Sequence, residues 1–252
     1  MKPKSLWTLT AAAALAVTAV LPAAASDPSC SAPGVTVGTD PAGDETGAPA
    51  TSFADLLSLS IAEPGNNLLV FTVKLSDLAT ILPNQAWIVR YQSDAPPANG
   101  DSEFFVAMVT GPDATPHFIY GTAGQDPAGE TLLFNPGGDL DASSNFNADG
   151  TLTLALDKSK VPLANGALVT AMVPLTHRIT PTDGSTVPFW YGLRSEGANE
   201  IAYDEIDNLD DYVIGQGNCS GGKSGLLGLG AMPVPALLML FGVAAARRRK
   251  IS

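Results

Sequence analysis

The sequence predicts an all-β fold, a single antiparallel β-sandwich of jelly-roll-like form. Between residues 26 and 219, short apolar or alternating segments are separated by Pro, Gly, Asn and Asp, and no long amphipathic helix is evident. About ten such segments fit a two-sheet sandwich. This length is enough for one domain with a sizeable core, so we expect a single ectodomain over residues 26–219.

Two strands show the alternation expected when one face is buried. Leu69, Phe71, Val73 and Leu75 alternate with other residues, and three leucines repeat this pattern in residues 151–156. Side chains in a strand point to opposite faces in turn, so these apolar sets predict core-facing surfaces.

Two further segments, FFVAMV (104–109) and ALVTAMV (167–173), are apolar on both faces and predict strands sandwiched between layers. Residues 77–82 predict one short helical turn, and Pro-Gly, Asn-Gly and Asp-Gly pairs mark turns between strands. The remaining strand candidates are Leu56 to Ile61, Trp87 to Tyr91, His117 to Tyr120, Thr131 to Phe134, Phe189 to Arg194, Ile201 to Glu205 and Tyr212 to Ile214.

The N-terminus has the pattern of a secretory signal peptide. Lys2 and Lys4 form a basic region, an apolar stretch runs from residue 6 to 21, and Ala23 to Ala25 offer a cleavage site with small side chains. We therefore expect residues 1–25 to be removed on export. An uncleaved N-terminal anchor is the alternative, and the shortness of the apolar stretch disfavours it.

The C-terminus predicts a membrane segment. Residues 226–246 are 21 uncharged residues, about 31 Å as a helix and enough to cross a bilayer core. Residues 247–252 form a basic tail, expected on the cytoplasmic side. A Gly-rich linker or processing region, residues 220–225, separates this anchor from the domain.

The charge of the chain excludes some partners. All 25 acidic residues lie within residues 26–222, together with six basic residues, so this segment carries a net charge of −19. Nucleic acid and anionic membrane surfaces are therefore disfavoured. The carboxylates keep an exported protein soluble, or some of them supply oxygen ligands for calcium.

Cys30 and Cys219 are the two cysteines of the chain, one near each end of the predicted domain. In an oxidising exterior such a pair predicts a disulfide that joins the terminal strands. Two free thiols or a metal-binding pair are the alternatives, and no neighbouring residue supports either.

The turn from Asp40 to Glu45 (DPAGDE) is the strongest candidate for site chemistry. Asp40 and Asp44 lie on a tight Pro-Gly turn, and Asp55 starts the next strand. Calcium needs six to eight oxygen ligands, of which these carboxylates would supply several. A solvated turn with aspartates that cap backbone amides fits the same residues.

Two other acidic segments have simpler interpretations. Residues 145–150 resemble the start of an EF-hand loop, but Leu156 occupies the twelfth position, where calcium binding needs Glu, so we expect a surface hairpin. The acidic residues from Asp204 to Asp211 predict a solvated edge before the last strand.

Aromatic side chains suggest platforms for planar ligands such as sugars. Trp87 and Tyr91 share one strand face, and Trp190 and Tyr191 open another strand. Core packing is the alternative role for these rings, and the sequence alone does not separate the two.

Few residues suggest catalysis. His117 and His177 are the only histidines, both cysteines are expected to pair, and the chain has neither a Gly-x-Ser-x-Gly elbow nor a His-Glu-x-x-His helix. No catalytic residue is predicted. A glycosidase that uses two facing carboxylates is the remaining enzymatic alternative.

The C-terminal tail resembles bacterial GlyGly-CTERM sorting signals, through Gly221-Gly222, the apolar segment and the cluster Arg247, Arg248 and Arg249. The resemblance implies processing by a rhombosortase, an intramembrane protease. The tail is less similar to PEP-CTERM signals, which an exosortase recognises, because its Met-Pro-Val-Pro segment (232–235) lacks the Glu. Either resemblance implies delivery to the cell surface or exterior.

The body, over about residues 36–214, resembles DOMON domains and family 9 carbohydrate-binding modules. The resemblance is carried by the DPAGD turn, the strand start at Asp55 and the segments LVFTVKLSDL (69–78) and PNQAWIVRY (83–91). It implies a domain that binds sugars, sometimes haem, and often a structural calcium. No His or Met of this sequence is placed as a haem ligand, so we expect a sugar or no small ligand, and no cofactor besides calcium. We therefore expect a non-enzymatic, surface-sorted binding or adhesion module, with a secreted hydrolase as the alternative.

Overall fold

The computed structural model describes residues 28–46, 53–94, 103–125, 132–178, 194–195 and 202–216. These residues form short strands, with 3-10 helical turns at Pro28–Cys30 and Lys158–Lys160. The strands are β1 (Val35–Thr39), β2 (Leu56–Ala62), β3 (Leu68–Leu75), β4 (Gln85–Ser93), β5 (Glu103–Thr110), β6 (Pro116–Gln125), β7 (Leu132–Asp139), β8 (Asn145–Phe146), β9 (Thr151–Asp157), β10 (Leu168–Arg178), β11 (Arg194–Ser195), β12 (Ala202–Glu205) and β13 (Tyr212–Val213).

The strands form two antiparallel sheets, here named sheet A and sheet B. Sheet A has the order β1-β2-β3-β9-β8, and sheet B has the order β11-β7-β6-β5-β4-β10-β12. Strand β13 also belongs to sheet B, because it pairs with the start of β10 while β12 pairs with its end. Two packed antiparallel sheets agree with the predicted all-β sandwich.

The main core lies between the two sheets. Leu69, Phe71, Val73 and Leu75 of β3 are at most 2% exposed, as predicted for the core face, but Val70 and Thr72 on the opposite face are also buried, so the predicted alternation is seen only in part. The ring of Phe71 stacks on that of Tyr91 in β4, with centroids 5.3 Å apart. This contact joins the inner faces of both sheets, and burial of such rings is the main driving force for their packing.

Sheet B has a second apolar cluster, on the face that points away from sheet A. We call it the outer apolar cluster. Along β4 and β5, successive apolar residues belong in turn to the main core and to the outer apolar cluster, because side chains of a strand point alternately to its two faces. Its members are Ala86, Ile88, Phe105, Ala107, Val109, Ile119, Ala123, Phe134 and Leu175.

The burial of β5 and β10 tests the prediction that both strands are buried on both faces. Strand β5 is buried on both faces from Phe104 to Thr110, as predicted. The prediction is wrong for the first half of β10, where Thr170 and Val173 are half-buried and Ala171 is exposed. The pairing of β10 with β4 shifts between Thr170 and Val173, and Ala171 has a φ of 45°, so a bulge turns side chains away from the core.

A buried carboxylate connects the two ends of the described domain. Glu63 is 4% exposed and forms an ion pair with Lys158 at 2.8 Å. The backbone N–H of Glu63 donates to the carbonyl of Ser29 (2.6 Å), and its Oε1 accepts from Tyr212 Oη (3.1 Å) and Gly215 N (2.7 Å). The residue before Cys30 and the last described residues before position 219 therefore lie close together.

Several predicted features lie outside the described residues. They are the signal peptide (1–25), the linker (220–225), the membrane segment (226–246), the basic tail (247–252), Trp190, Tyr191, Cys219, Gly221, Gly222, Arg247, Arg248 and Arg249. In the described part of the chain, no helix combines the length and hydropathy needed to cross a bilayer. The helical turn predicted at residues 77–82 is wrong, because that segment has bends and no helix.

Candidate metal centre

Three carboxylates converge where the turn after β1 meets β12. Among the described residues, Asp40, Asp44 and Asp204 each place one carboxylate oxygen within 4.8 Å of the others. Calcium ligands lie 2.3–2.6 Å from the ion, so two oxygens that share one ion are at most about 5 Å apart. The spacing of the three carboxylates therefore fits one calcium ion, with further oxygen ligands needed to complete its shell.

The turn that carries two of these carboxylates is held by backbone hydrogen bonds. The N–H of Asp40 donates to the carbonyl of Leu57 (2.9 Å), and the N–H of Gly43 donates to Oδ1 of Asp55 (2.9 Å). Gly43 has a φ of 82°, a conformation that glycine adopts without strain. Because both ends of the turn are tied to β2, Asp40 and Asp44 are presented together.

Backbone N–H groups of β2 and β12 position the carboxylate of Asp204. Its Oδ2 accepts a hydrogen bond from the N–H of Leu56 (2.6 Å), and its Oδ1 accepts from the N–H of Glu205 (2.9 Å). The N–H of Thr46 donates to the carbonyl of Tyr203 (2.7 Å), so the chain after the turn runs beside β12. These bonds bring together residues about 160 positions apart in the sequence.

Burial and the neighbouring negative charges raise the pKa of Asp40 and Asp204. Burial raises the pKa of Asp204 to about 6, although hydrogen bonds from Leu56 and Glu205 favour its charged form, and the charges of Asp40 and Asp44 raise it further. Burial also raises the pKa of Asp40, with added repulsion from Asp44, Asp55 and Asp207. A cation between the carboxylates would offset this repulsion.

The structure places Asp55 differently from the predicted ligand set. Asp55 is 4% exposed, and its two oxygens accept from the N–H of Gly43 and the hydroxyl of Ser76. It therefore lies behind the turn and supports it, while Asp204 completes the group of three. Asp204 had been assigned to a solvated edge, since nothing local in that acidic run separates one carboxylate from the others.

Trp87 and Tyr91 have no exposed ring face. Trp87 is 1% exposed, and its Nε1 donates to the carbonyl of Phe53 (2.8 Å). Tyr91 is 0% exposed, lies between Phe71 and Phe104, and its burial raises its pKa. The stacking role predicted for these two rings is corrected to core packing, because sheet A covers the strand face that they share.

The segment that resembles an EF-hand loop is a hairpin turn between β8 and β9, as expected. The N–H of Asn147 donates to the carbonyl of Thr151 (2.8 Å), and the N–H of Gly150 donates to that of Asn147 (3.1 Å). Asp149 accepts from the N–H of Thr151 (2.9 Å), a bond that lowers the pKa of this exposed carboxyl.

Two surface depressions have the size of ligand sites. One, of about 450 Å³, lies on the outer face of sheet A. The other, of about 400 Å³, lies beside β6 and β7 and is lined by Tyr120, Thr122, Asn135 and Lys160 among others. No protein-family model, curated protein or solved structure matches this chain, so the comparisons assign no ligand to either depression.

Proposed function

We propose that this protein is an exported, surface-sorted β-sandwich that acts as a binding or adhesion module, with a carbohydrate as ligand and a structural calcium ion. The convergence of Asp40, Asp44 and Asp204 carries the calcium part of the proposal. A signal peptide, a sorting tail cut by a rhombosortase- or exosortase-type protease, and delivery to the cell envelope or exterior belong to the same proposal, on the sequence patterns above.

The position of the acidic cluster supports a structural role for the ion. Asp40 and Asp44 follow β1 in sheet A, whereas Asp204 belongs to β12 in sheet B. An ion bound by all three would therefore join the two sheets at this edge. Such a site stabilises the fold by binding the native state and not the unfolded chain.

A secreted hydrolase that uses two carboxylates is the alternative function. Glycosidases that use two carboxylates place them about 5–5.5 Å apart for retention or 6.5–9.5 Å apart for inversion. In the acidic cluster one oxygen of each carboxylate lies within 4.8 Å of the others, which is near the shorter of these separations. Burial raises the pKa of Asp204 to about 6 although both of its oxygens accept backbone hydrogen bonds, so the assays of hydrolysis below are needed to separate the two functions.

Thermal unfolding with calcium or with a chelator tests the metal site. We expect calcium at about 100 times its Kd to raise the Tm of the wild-type protein by about 5–10 °C. The variant Asp44→Asn should lose most of this shift because it removes one charged ligand. Asp211→Asn, a change at an exposed carboxylate outside the cluster, is the matched control and should keep it. A Tm that does not respond to calcium would remove the metal from the proposal.

Glycan-array binding, measured beside assays of glycan hydrolysis, tests the binding function. The module should retain a glycan without turnover, and the chelator should reduce retention by destabilising the fold. Hydrolysis that Asp44→Asn or Asp204→Asn abolishes would favour the enzyme.

A further inference from the structure

The outer face of sheet A carries the groove of about 450 Å³, and most of its lining side chains end in hydroxyl groups. Six serine and threonine residues supply these hydroxyl groups, and together they are called the hydroxyl face: Thr36, Ser58, Ser60, Thr72, Thr151 and Thr153. Ala32, Pro33 and Lys74 line the same groove. The hydroxyl face is separate from the acidic cluster, from the main core and from the outer apolar cluster, but it adjoins a small apolar cluster of Ala62, Val70 and Ala155 on the same face of sheet A.

Strand register arranges these hydroxyls in rows. Thr36 lies opposite Ser60, Ser60 opposite Thr72, and Thr72 opposite Thr153. This row crosses β1, β2, β3 and β9, which is about 14 Å at the usual strand spacing. A second row runs from Ser58 through Lys74 to Thr151. The groove therefore offers a regular array of polar groups to an extended ligand.

The centre of the first row has an unsatisfied hydroxyl. Thr36 and Ser60 share a hydrogen bond of 3.0 Å. Thr72 is 6% exposed, and its Oγ1 is buried without a hydrogen-bond partner in the described part of the chain. Buried polar groups without partners are rare and destabilising, so this hydroxyl needs an explanation. Thr72 lines the groove, so rotation about its χ1 bond would turn this hydroxyl toward a ligand there and give it a partner.

The charges around the groove favour a neutral ligand. The ammonium group of Lys74 donates to the carbonyl of Asp149 and to Thr151 Oγ1 (3.5 Å), and it lies 3.8 Å from the Asp149 carboxylate. Its charge is therefore partly balanced. The net charge of −19 over residues 26–222 also repels polyanions.

We propose that the hydroxyl face binds a neutral saccharide chain that lies along the row from Thr36 to Thr153, with one sugar hydroxyl paired to Thr72 Oγ1. Ser and Thr hydroxyls both donate and accept hydrogen bonds, as sugar hydroxyls do, so the two rows are complementary in kind. This inference rests on the proposed binding function and assigns its site. The cleft beside Tyr120 is the competing site on the same molecule.

Titration calorimetry with xylohexaose, cellohexaose and mannohexaose tests the site. The full-length protein would be purified in a detergent without a sugar headgroup, so that the detergent does not compete. We expect Thr72→Val to weaken binding of the hexasaccharide that the wild type prefers about five- to tenfold, the loss of one good hydrogen bond. Its Tm should stay the same or rise, because the hydroxyl has no protein partner to lose.

Three further variants keep the result interpretable. Thr153→Val changes a half-buried member of the same row and should weaken binding to a similar degree, even where Thr72→Val folds poorly. Thr170→Val, a half-buried threonine of β10 outside the groove, should bind as the wild type does. Tyr120→Leu should also leave affinity unchanged.

The outcomes separate this inference from the function on which it rests. Weaker binding in Thr72→Val and Thr153→Val, with unchanged controls, supports the hydroxyl face as the site. Binding that only Tyr120→Leu weakens, or that none of these variants changes, overturns the site and leaves the binding function in place. Absence of binding to all three hexasaccharides overturns carbohydrate binding together with its site.

Discussion

The outer faces of the two sheets differ in chemistry although both sheets share one core. The outer apolar cluster of sheet B includes Phe105, Val109 and Ile119, each at most 1% exposed. The outer face of sheet A instead carries the hydroxyl face, in a groove open to solvent. Antiparallel sheets commonly bury one face and leave the other wet, and sheet A follows that rule in part, because Ala62, Val70 and Ala155 form a small buried cluster beside the hydroxyl face.

The difference indicates which sheet is available to a partner. Side chains of the outer apolar cluster are already removed from water, so their contribution is to stability. Four of the six members of the hydroxyl face are exposed or half-buried, so we expect most of its side chains to be replaceable without a large loss of stability. A binding surface is best placed where the fold does not depend on it.

The largest expected contrast comes from truncating one side chain on each outer face. Phe105→Ala should destabilise the protein by about 3–5 kcal/mol, because it leaves a cavity and removes an edge-on contact with Phe134. Thr153→Ala on the hydroxyl face should cost less than about 1 kcal/mol. Urea unfolding measures both, and similar losses would contradict the contrast.

His177, in sheet B, should make the stability of the protein depend on pH. This residue of β10 is 9% exposed, its Nδ1 has no hydrogen-bond partner among the described residues, and burial followed by the charge of Arg90 lowers its pKa from 6.5 to about 4. Between these two values the unfolded chain binds a proton that the folded chain does not. The contribution of His177 to the free energy of unfolding is therefore fully present above pH 6.5 and is lost as the pH falls toward 4.

The variant His177→Gln isolates this effect. We expect its stability to fall less than that of the wild type between pH 6.5 and 4, by at most about 3 kcal/mol. Urea unfolding at several pH values in the presence of chelator measures the difference without a metal contribution. Parallel pH profiles for the two proteins would show that His177 does not titrate as described.

A smaller effect is expected from the charged member of the groove. Lys74 and Asp149 have side chains that are 38% and 70% exposed, so their ion pair is screened by solvent. Lys74→Met should change the free energy of unfolding by less than about 1 kcal/mol. Glu63→Gln is the contrast, because Glu63 is buried, pairs with Lys158 and accepts hydrogen bonds from Tyr212 and Gly215; its loss should be clearly larger.

The predicted pairing of Cys30 with Cys219 is tested by mass spectrometry of the exported protein without reductant. A peptide that joins the two cysteines is expected, because Glu63 binds Ser29 through its backbone N–H and Gly215 through its carboxylate. Recovery of two alkylated thiols would contradict the pairing.

Much of the strand structure is readable from local patterns. Strands β2, β3, β5 and β9 lie where alternating or continuous apolar segments predict them, because side-chain period and turn residues are local properties. Strand β1 was not among the predicted strands, since its sequence VTVGT has little apolar pattern. The bulge at Ala171 was also missed, because nothing in ALVTAMV marks an extra residue.

Only part of the candidate metal centre can likewise be predicted from local sequence. Asp40 and Asp44 were identified from a short turn motif, and they lie together in the structure. Asp204 was missed because its place depends on the pairing of β12 with the end of β10, far from the turn in sequence. Asp55 was close enough in sequence to be included, yet its carboxylate supports the turn.

The sequence by itself determined the class of fold, the alternation within strands and the acidic turn, because these depend on neighbouring residues. It also predicted that Trp87 and Tyr91 share one strand face. Only the tertiary structure decided that this face is the core, that the opposite face of sheet B is buried as well, and that hydroxyls of four strands form one row. These outcomes depend on which strands pair and which sheets pack, and contacts between residues distant in sequence set both.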